Sequence, residues 1–160
     1  MTLLSEVRVD SADFTAWVRP HLPVMGRVAA RLAPDADRDD VVQDALTRAW
    51  RKQGQYDESR GSASAWLCAI VAGEARRARA RRRPLDVAVP ASSYDLVRDL
   101  DLERAVATLP KRQREAVDLH YFVGLSVAET AAVMGCAEGT VKSTLSDARG
   151  RLRDLLGEDA

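Results

Sequence analysis

The sequence predicts an all-α protein, arranged as two small helical domains joined by a flexible linker, and three observations lead there. Apolar residues recur at helical spacing through almost all of the chain before Pro84. No segment sustains the alternation of apolar and polar residues that marks a half-buried strand. The 160 residues, 46% apolar and 30% charged, have the composition of a soluble globular protein and leave room for one ordinary domain or two small ones.

The first helical region, about 12–33, contains Pro20 and Pro23. Each removes a backbone donor, so the region is expected to bend or split there. In DRDDVVQDALTRAW, residues Val41, Val42, Ala45, Leu46, Ala49 and Trp50 form a helical apolar stripe. Asp40, Gln43, Asp44 and Thr47 are left to share an outward polar face. Asp37, Asp39 and Asp40 also suit the positive end of a helix dipole, an ordinary structural role for them.

A loop, QGQYDESRG, leads to the next helix, with Ser62 as its N-cap and Ala63, Trp66, Leu67, Ile70 and Val71 as its stripe. This spacing puts Trp66 in the core. The continuation EARRARARRR has six arginines between Arg76 and Arg83 and no apolar residue larger than alanine. Such an end cannot pack in a core, so its guanidinium groups either sit in solvent, favoured by the helix C-terminal dipole, or face an anion.

Pro84 ends this helix, and PLDVAVPASSYD has the prolines, serines and absence of period of a linker. The expected organisation is a domain over 1–83, a linker over 84–100 and a second domain over 101–160. Three helical patterns follow the linker. Pro110 stands near the start of KRQREAVDLHYF, where a proline is tolerated. In LSVAETAAVMG, Ser126 and Glu129 have capping-box spacing, Val127, Ala131 and Met134 share a face, and Gly135 suits a left-handed C-terminal turn.

The last stripe is Val141, Leu145, Ala148, Leu152 and Leu155. Two helices joined at a glycine and braced by a preceding helix describe a helix-turn-helix. With Val141 and Leu145 inward, Glu138, Thr140, Lys142, Ser143 and Ser146 face outward. Glu138 can accept from a cytosine amino group, and Lys142 can meet guanine or phosphate. A small helical bundle with a solvated last helix fits the same pattern.

Charge and cysteine usage narrow the function classes. The formal net charge is zero, but 1–83 holds 15 Lys+Arg against 11 Asp+Glu, 84–103 holds 1 against 5, and 104–160 holds 8 against 8. Arginine outnumbers lysine 21 to 3, so arginine count alone carries little weight. Cys68, Cys136, His21 and His120 show no local ligand spacing, and no metal is expected. No nucleophile-base pair or phosphate-binding glycine loop points to an enzyme or to a cofactor. The N-terminus has neither a basic start nor a long apolar segment, and no run of about 18 apolar residues exists. A cytoplasmic protein without membrane insertion is expected.

The segment LPKRQREAVDLHYFVGLSVAETAAVMGCAEGTVKSTLSDARGRLRDLL resembles region 4 of bacterial sigma factors of the extracytoplasmic-function (ECF) group. DDVVQDALTRAW and SAWLCAIVAGEARRARARRR resemble region 2 of the same group, and the two blocks stand in the family's order. The resemblance implies an alternative sigma factor that binds core RNA polymerase and directs promoter recognition, DNA opening and initiation. It implies that Asp40, Gln43, Asp44 and Thr47 dock on the β′ clamp helices. The span from Tyr56 to Arg83 becomes the reader of the minus-ten element, with Tyr56, Ser62, Arg76, Arg77 and Arg79 as candidate contacts. Glu138, Thr140, Lys142, Ser143, Ser146 and Arg149 become the candidate contacts to the minus-thirty-five element, in a region that also touches the β flap. Asp95, Asp99 and Asp101 in the acidic linker can imitate nucleic-acid charge. An anti-sigma factor or other regulator is the further partner that the family implies.

Two departures stand against this pattern. After Trp66 and Leu67 the family commonly has an aromatic residue, then arginine and later asparagine, where this chain has Cys68, Ala69, Val71, Ala72 and Gly73. After Lys142 and Ser143 it often continues with basic residues, where this chain has Thr144, Ser146 and Asp147. Two alternatives remain open: an autonomous helix-turn-helix regulator, and a sigma-like partner-binding protein without promoter opening. The first lacks a visible dimerisation seam and leaves the region-2 block unexplained.

Overall fold

A computed structural model of the chain describes residues 11–81 and 96–157, the side chains of 96–99 excepted. These residues form two compact units that divide at Arg81, and no strand occurs among them. Arg82, Arg83, Asp95, the side chain of Asp99 and most of the expected linker lie outside the described residues.

The first unit opens with α1 (Ser11–Val18), a 3₁₀ turn (Arg19–His21) and α2 (Leu22–Leu32). The split falls where the prolines stand, with Pro20 in the turn and Pro23 in the first turn of α2. Next is α3 (Arg38–Lys52), capped by Asp37, whose carboxylate accepts from the amides of Asp39 at 2.9 Å and Asp40 at 3.1 Å. A 3₁₀ turn (Gln53–Gln55) and a loop lead to α4 (Ala63–Arg81). Ser62 caps it, its hydroxyl accepting from the Ala65 amide at 3.1 Å.

Helices α2, α3 and α4 pack pairwise around Met25, Val28, Leu67 and Val71, all completely buried. Alanines at the contacts, among them Ala29, Ala45, Ala49, Ala72 and Ala75, leave the helices room to approach closely. The expected stripes need correction. On α3 only Val41, Ala45 and Ala49 are buried, while Val42 and Leu46 are half-buried and Trp50 is 38% exposed. On α4 the buried arc is rotated onto Leu67, Cys68, Val71, Ala72 and Ala75, leaving Ala63, Trp66 and Ile70 half-buried. α4 is wedged between two helices, so the small side chains take the crowded centre and the indole lies at its edge.

The second unit comprises α5 (Leu96–Thr108), α6 (Lys111–Val117), a turn of π-helix (Asp118–Val123), α7 (Val127–Met134) and α8 (Glu138–Gly157). α5 was not foreseen: it begins inside the span assigned to the linker, so Asp99 and Asp101 belong to a helix that packs against α8. The helix-turn-helix is α7 and α8. Ser126 caps α7, accepting from the Glu129 amide at 3.0 Å. Gly135, at φ +67°, reverses the chain with Cys136 N–H donating to Ala131 O at 3.1 Å. Both Nη atoms of Arg112 reach the Met134 carbonyl, at 3.3 and 3.4 Å, and fasten α6 to the end of α7. α8 buries Val141, Leu145 and Ala148, but Leu152 is only half-buried and Leu155 is 44% exposed. The expected inward stripe therefore fails at its end, where α8 has less to pack against.

Candidate nucleic-acid interface

Three polar surfaces carry the candidate residues. On α3, Asp40, Gln43, Asp44 and Thr47 are all exposed on one face. Asp37 supplies the cap, which leaves the Asp40 carboxylate turned to solvent in the first turn, where it complements the helix dipole. Thr47 Oγ1 donates back to the Gln43 carbonyl at 3.0 Å, so it sits close against its own helix.

The second surface is the loop before α4 and α4 itself. Tyr56 is half-buried against Trp66, ring centres 5.4 Å apart, and both meet Trp17 of α1, at 5.4 and 6.1 Å. Trp66 is thus half-buried in an aromatic cluster at the edge of the core, in which Trp17 also meets Phe14 at 5.9 Å and His21 at 6.3 Å. Trp17 was missed in the sequence because it sits on a helix distant in the chain, and no local period links it to Tyr56. The loop is tied locally. Asp57 Oδ1 accepts from the Ser59 hydroxyl at 2.6 Å and the Ser59 amide at 2.9 Å, and Tyr56 Oη donates to Gly61 O at 3.5 Å. The Ser59 side-chain bond is the largest cause, followed by the amide bond, that holds the Asp57 carboxyl below its ordinary pKa; nearby Arg60 adds to it.

The candidate arginines Arg76, Arg77 and Arg79 are all exposed, and two of them reach named partners inside the unit. Arg77 Nη1 donates to Glu74 Oε1 at 2.6 Å, and Arg79 Nη1 donates to the Leu32 carbonyl at 3.4 Å, at the end of α2. Glu74 is only 5% exposed and also pairs with Arg48 of α3. The anion that Arg77 faces is thus an internal carboxylate. Its signal lay in the sequence, an acid three residues before Arg77. Ser62 is exposed, though its hydroxyl is engaged in the cap. At the positions where the chain departs from the family pattern, Cys68, Val71 and Ala72 are buried, so those side chains cannot reach a separated strand.

The third surface is the outer face of α8. Glu138, Thr140, Lys142, Ser143, Ser146 and Arg149 are all exposed, as their spacing requires once Val141 and Leu145 turn inward. Ser143 Oγ donates to Thr140 O at 3.0 Å, and Arg149 Nη1 donates to Tyr121 Oη at 2.9 Å. Asp147 is exposed beside them and Thr144 is half-buried. Among the described residues, no group of three or more His, Cys, Asp or Glu could hold a metal ion, and no helix is long and apolar enough to cross a membrane.

A helix-turn-helix unit following a helical unit with an acidic outward face is the architecture of the sigma-70 class. Residues 17–84 match the family described as Sigma-70 region 2, and residues 99–152 match Sigma-70, region 4. The chain is 36% identical to the ECF RNA polymerase sigma factor SigM of Mycobacterium tuberculosis (strain Erdman), over 97% of this chain and 83% of that one. It is 33% identical to the RNA polymerase sigma-E factor of Streptomyces coelicolor, over 90% of this chain and 86% of that one. Among solved structures it is similar to the sigma factor RpoE in complex with the anti-sigma factor NepR from Bartonella quintana. That match has 34% identity and a TM-score of 0.69, and covers 92% of this chain and 99% of the other. A second similar structure is CnrH in complex with the cytosolic domain of CnrY, at 29% identity and a TM-score of 0.68, covering 93% and 90%. The chain belongs to the ECF RNA polymerase sigma factors, and as an alternative sigma factor it directs transcription initiation.

Proposed function

We propose that the chain is a dissociable initiation subunit that supplies sequence recognition and leaves the phosphodiester chemistry to core polymerase in the cytoplasm. In this reading Asp40, Gln43, Asp44 and Thr47 dock on the β′ clamp helices. Tyr56, Ser62, Arg76, Arg77 and Arg79 lie on the surface that meets the minus-ten element. Glu138, Thr140, Lys142, Ser143, Ser146 and Arg149 enter the major groove at the minus-thirty-five element, beside the β flap. The observation that carries it is the outward polar face of α8, presented by a capped helix-turn-helix with Val141 and Leu145 buried behind it.

Balanced charge supports dependence on polymerase. The outer face of α8 offers few cations, and non-specific affinity grows with the phosphates neutralised. Two weak contacts become effective once polymerase holds both units near one promoter. Run-off transcription from genomic fragments, with core polymerase in the presence and absence of the chain, tests this. Discrete new transcripts that require the chain are expected. Their absence, with polymerase binding intact, would favour a partner-binding protein without promoter opening, a reading that the burial of Cys68, Val71 and Ala72 keeps in view. Because the RpoE relative is held by the anti-sigma factor NepR, we propose that this chain too is held inactive by an anti-sigma factor.

A further inference from the structure

We propose that Glu74 is a positioning residue that withholds Arg77 from nucleic acid, its buried carboxylate competing with DNA phosphate for that guanidinium. The inference rests on the reading above that α4 faces DNA. Two arginines donate to the same oxygen, Oε1 of Glu74: Nε of Arg48 from α3, and Nη1 of Arg77 from α4 at 2.6 Å. The Glu74 side chain is 6% exposed, that of Arg48 37% and that of Arg77 50%. A buried carboxylate needs one cation to offset its desolvation, and here it has two.

The two partners are not equivalent. Arg48 joins two helices across their contact, whereas Arg77 reaches back only three residues along its own helix. Removing Arg77 from the cluster leaves the buried Glu74 paired with the half-buried Arg48, so the outer guanidinium can leave without stranding a buried charge. While it stays, Arg77 lies along the helix surface, its Nη1 3.7 Å from where a Cβ on Gly73 would stand. A phosphodiester near α4 therefore competes with an internal carboxylate for this cation, and the grip of the helix end is weaker than its arginine count implies.

The test is the salt dependence of promoter binding by holoenzyme assembled with the full chain, using a promoter fragment recovered by run-off transcription. Glu74→Gln keeps the shape and an oxygen that can accept from Arg48, but removes the charge that holds Arg77. It is expected to tighten binding and to steepen the log–log salt slope by about 0.7–0.9, the amount for one more neutralised phosphate. The double variant Glu74→Gln/Arg77→Ala should return to the original slope. A purely structural role for Glu74 would lower thermal stability without steepening the slope. An unchanged or shallower slope in folded Glu74→Gln, or a gain that survives in the double variant, overturns the proposal. Should Glu74→Gln fail to fold, the single variants decide. Arg77→Ala should change binding by less than about twofold, as for a cation engaged elsewhere, and a larger loss overturns the proposal. If Arg76→Ala reduces the slope while Glu74→Gln leaves it unchanged, only the Glu74 proposal fails. If neither variant alters it, the placement of α4 on DNA fails as well.

Discussion

Arg149 Nη1 donates to Tyr121 Oη at 2.9 Å, joining the outer face of α8 to the turn of π-helix that continues α6. A π turn carries an extra residue and redirects the side chains on it. Here Tyr121 is 47% exposed, and its hydroxyl meets a long arginine that would otherwise sample many rotamers.

Tyr121→Phe removes this bond and keeps the ring. A hydrogen bond contributes about 1 kcal/mol net. Upstream-element binding by holoenzyme should fall by up to roughly fivefold, the equivalent of that energy, with little change in melting temperature. Electrophoretic titration of the promoter fragment checks the first, and circular dichroism the second.

Neighbouring aspartates at the start of α3 should separate into two roles. Asp37 caps the helix through two amides, so Asp37→Ala should lower stability by about 1 kcal/mol, measured by urea denaturation. Asp40 and Asp44 are exposed and make no cap, so their reversal to lysine should weaken binding to core polymerase and cost only the dipole contribution of Asp40, about 0.3–1 kcal/mol. Equal polymerase affinity in the double reversal would remove α3 from the docking surface.

Leu67 and Trp66 are adjacent, yet they should fail differently. Leu67 is completely buried among α2, α3 and α4, so Leu67→Ala should cost about 2–5 kcal/mol of stability, read from the urea midpoint. Trp66 is only half-buried beside Trp17 and Tyr56, so Trp66→Ala should cost less stability. It should reduce open-complex formation on the promoter, measured by permanganate reactivity of unpaired thymines.

The loop before α4 should respond to acid through Asp57. Its folded pKa is depressed, so the order it contributes is complete above the ordinary value of 3.8 and is lost as pH falls through the lower folded value. Ser59→Ala removes the largest cause and should raise the Asp57 pKa toward 3.8, followed by carboxyl NMR titration. An unmoved titration would mean that the Ser59 hydroxyl does not hold the carboxylate in solution.

The helical class, the split at Pro20 and Pro23, the caps at Ser62 and Ser126 and the turn at Gly135 could all be read from the sequence. Each is local: a ring that fixes φ, a hydroxyl that reaches an amide three residues away, a glycine free to adopt positive φ. The outward face of α8 was legible for a related reason, because a helix that buries Val141 and Leu145 must expose Lys142 and Ser146. Helix α5 was hidden by acidic residues that read as linker, and its helix is supported by packing against α8. Tertiary structure alone decided which of two adjacent residues enters a core, turning Leu67 inward and Trp66 to the edge. It also brought Trp17 to Tyr56 and Arg48 to Glu74, across separations that no helical period spans. Local hydrogen bonding and backbone sterics act within a few residues and leave their mark in the sequence. The choice of partner between helices depends on the shape and charge of surfaces that exist only once the helices have packed.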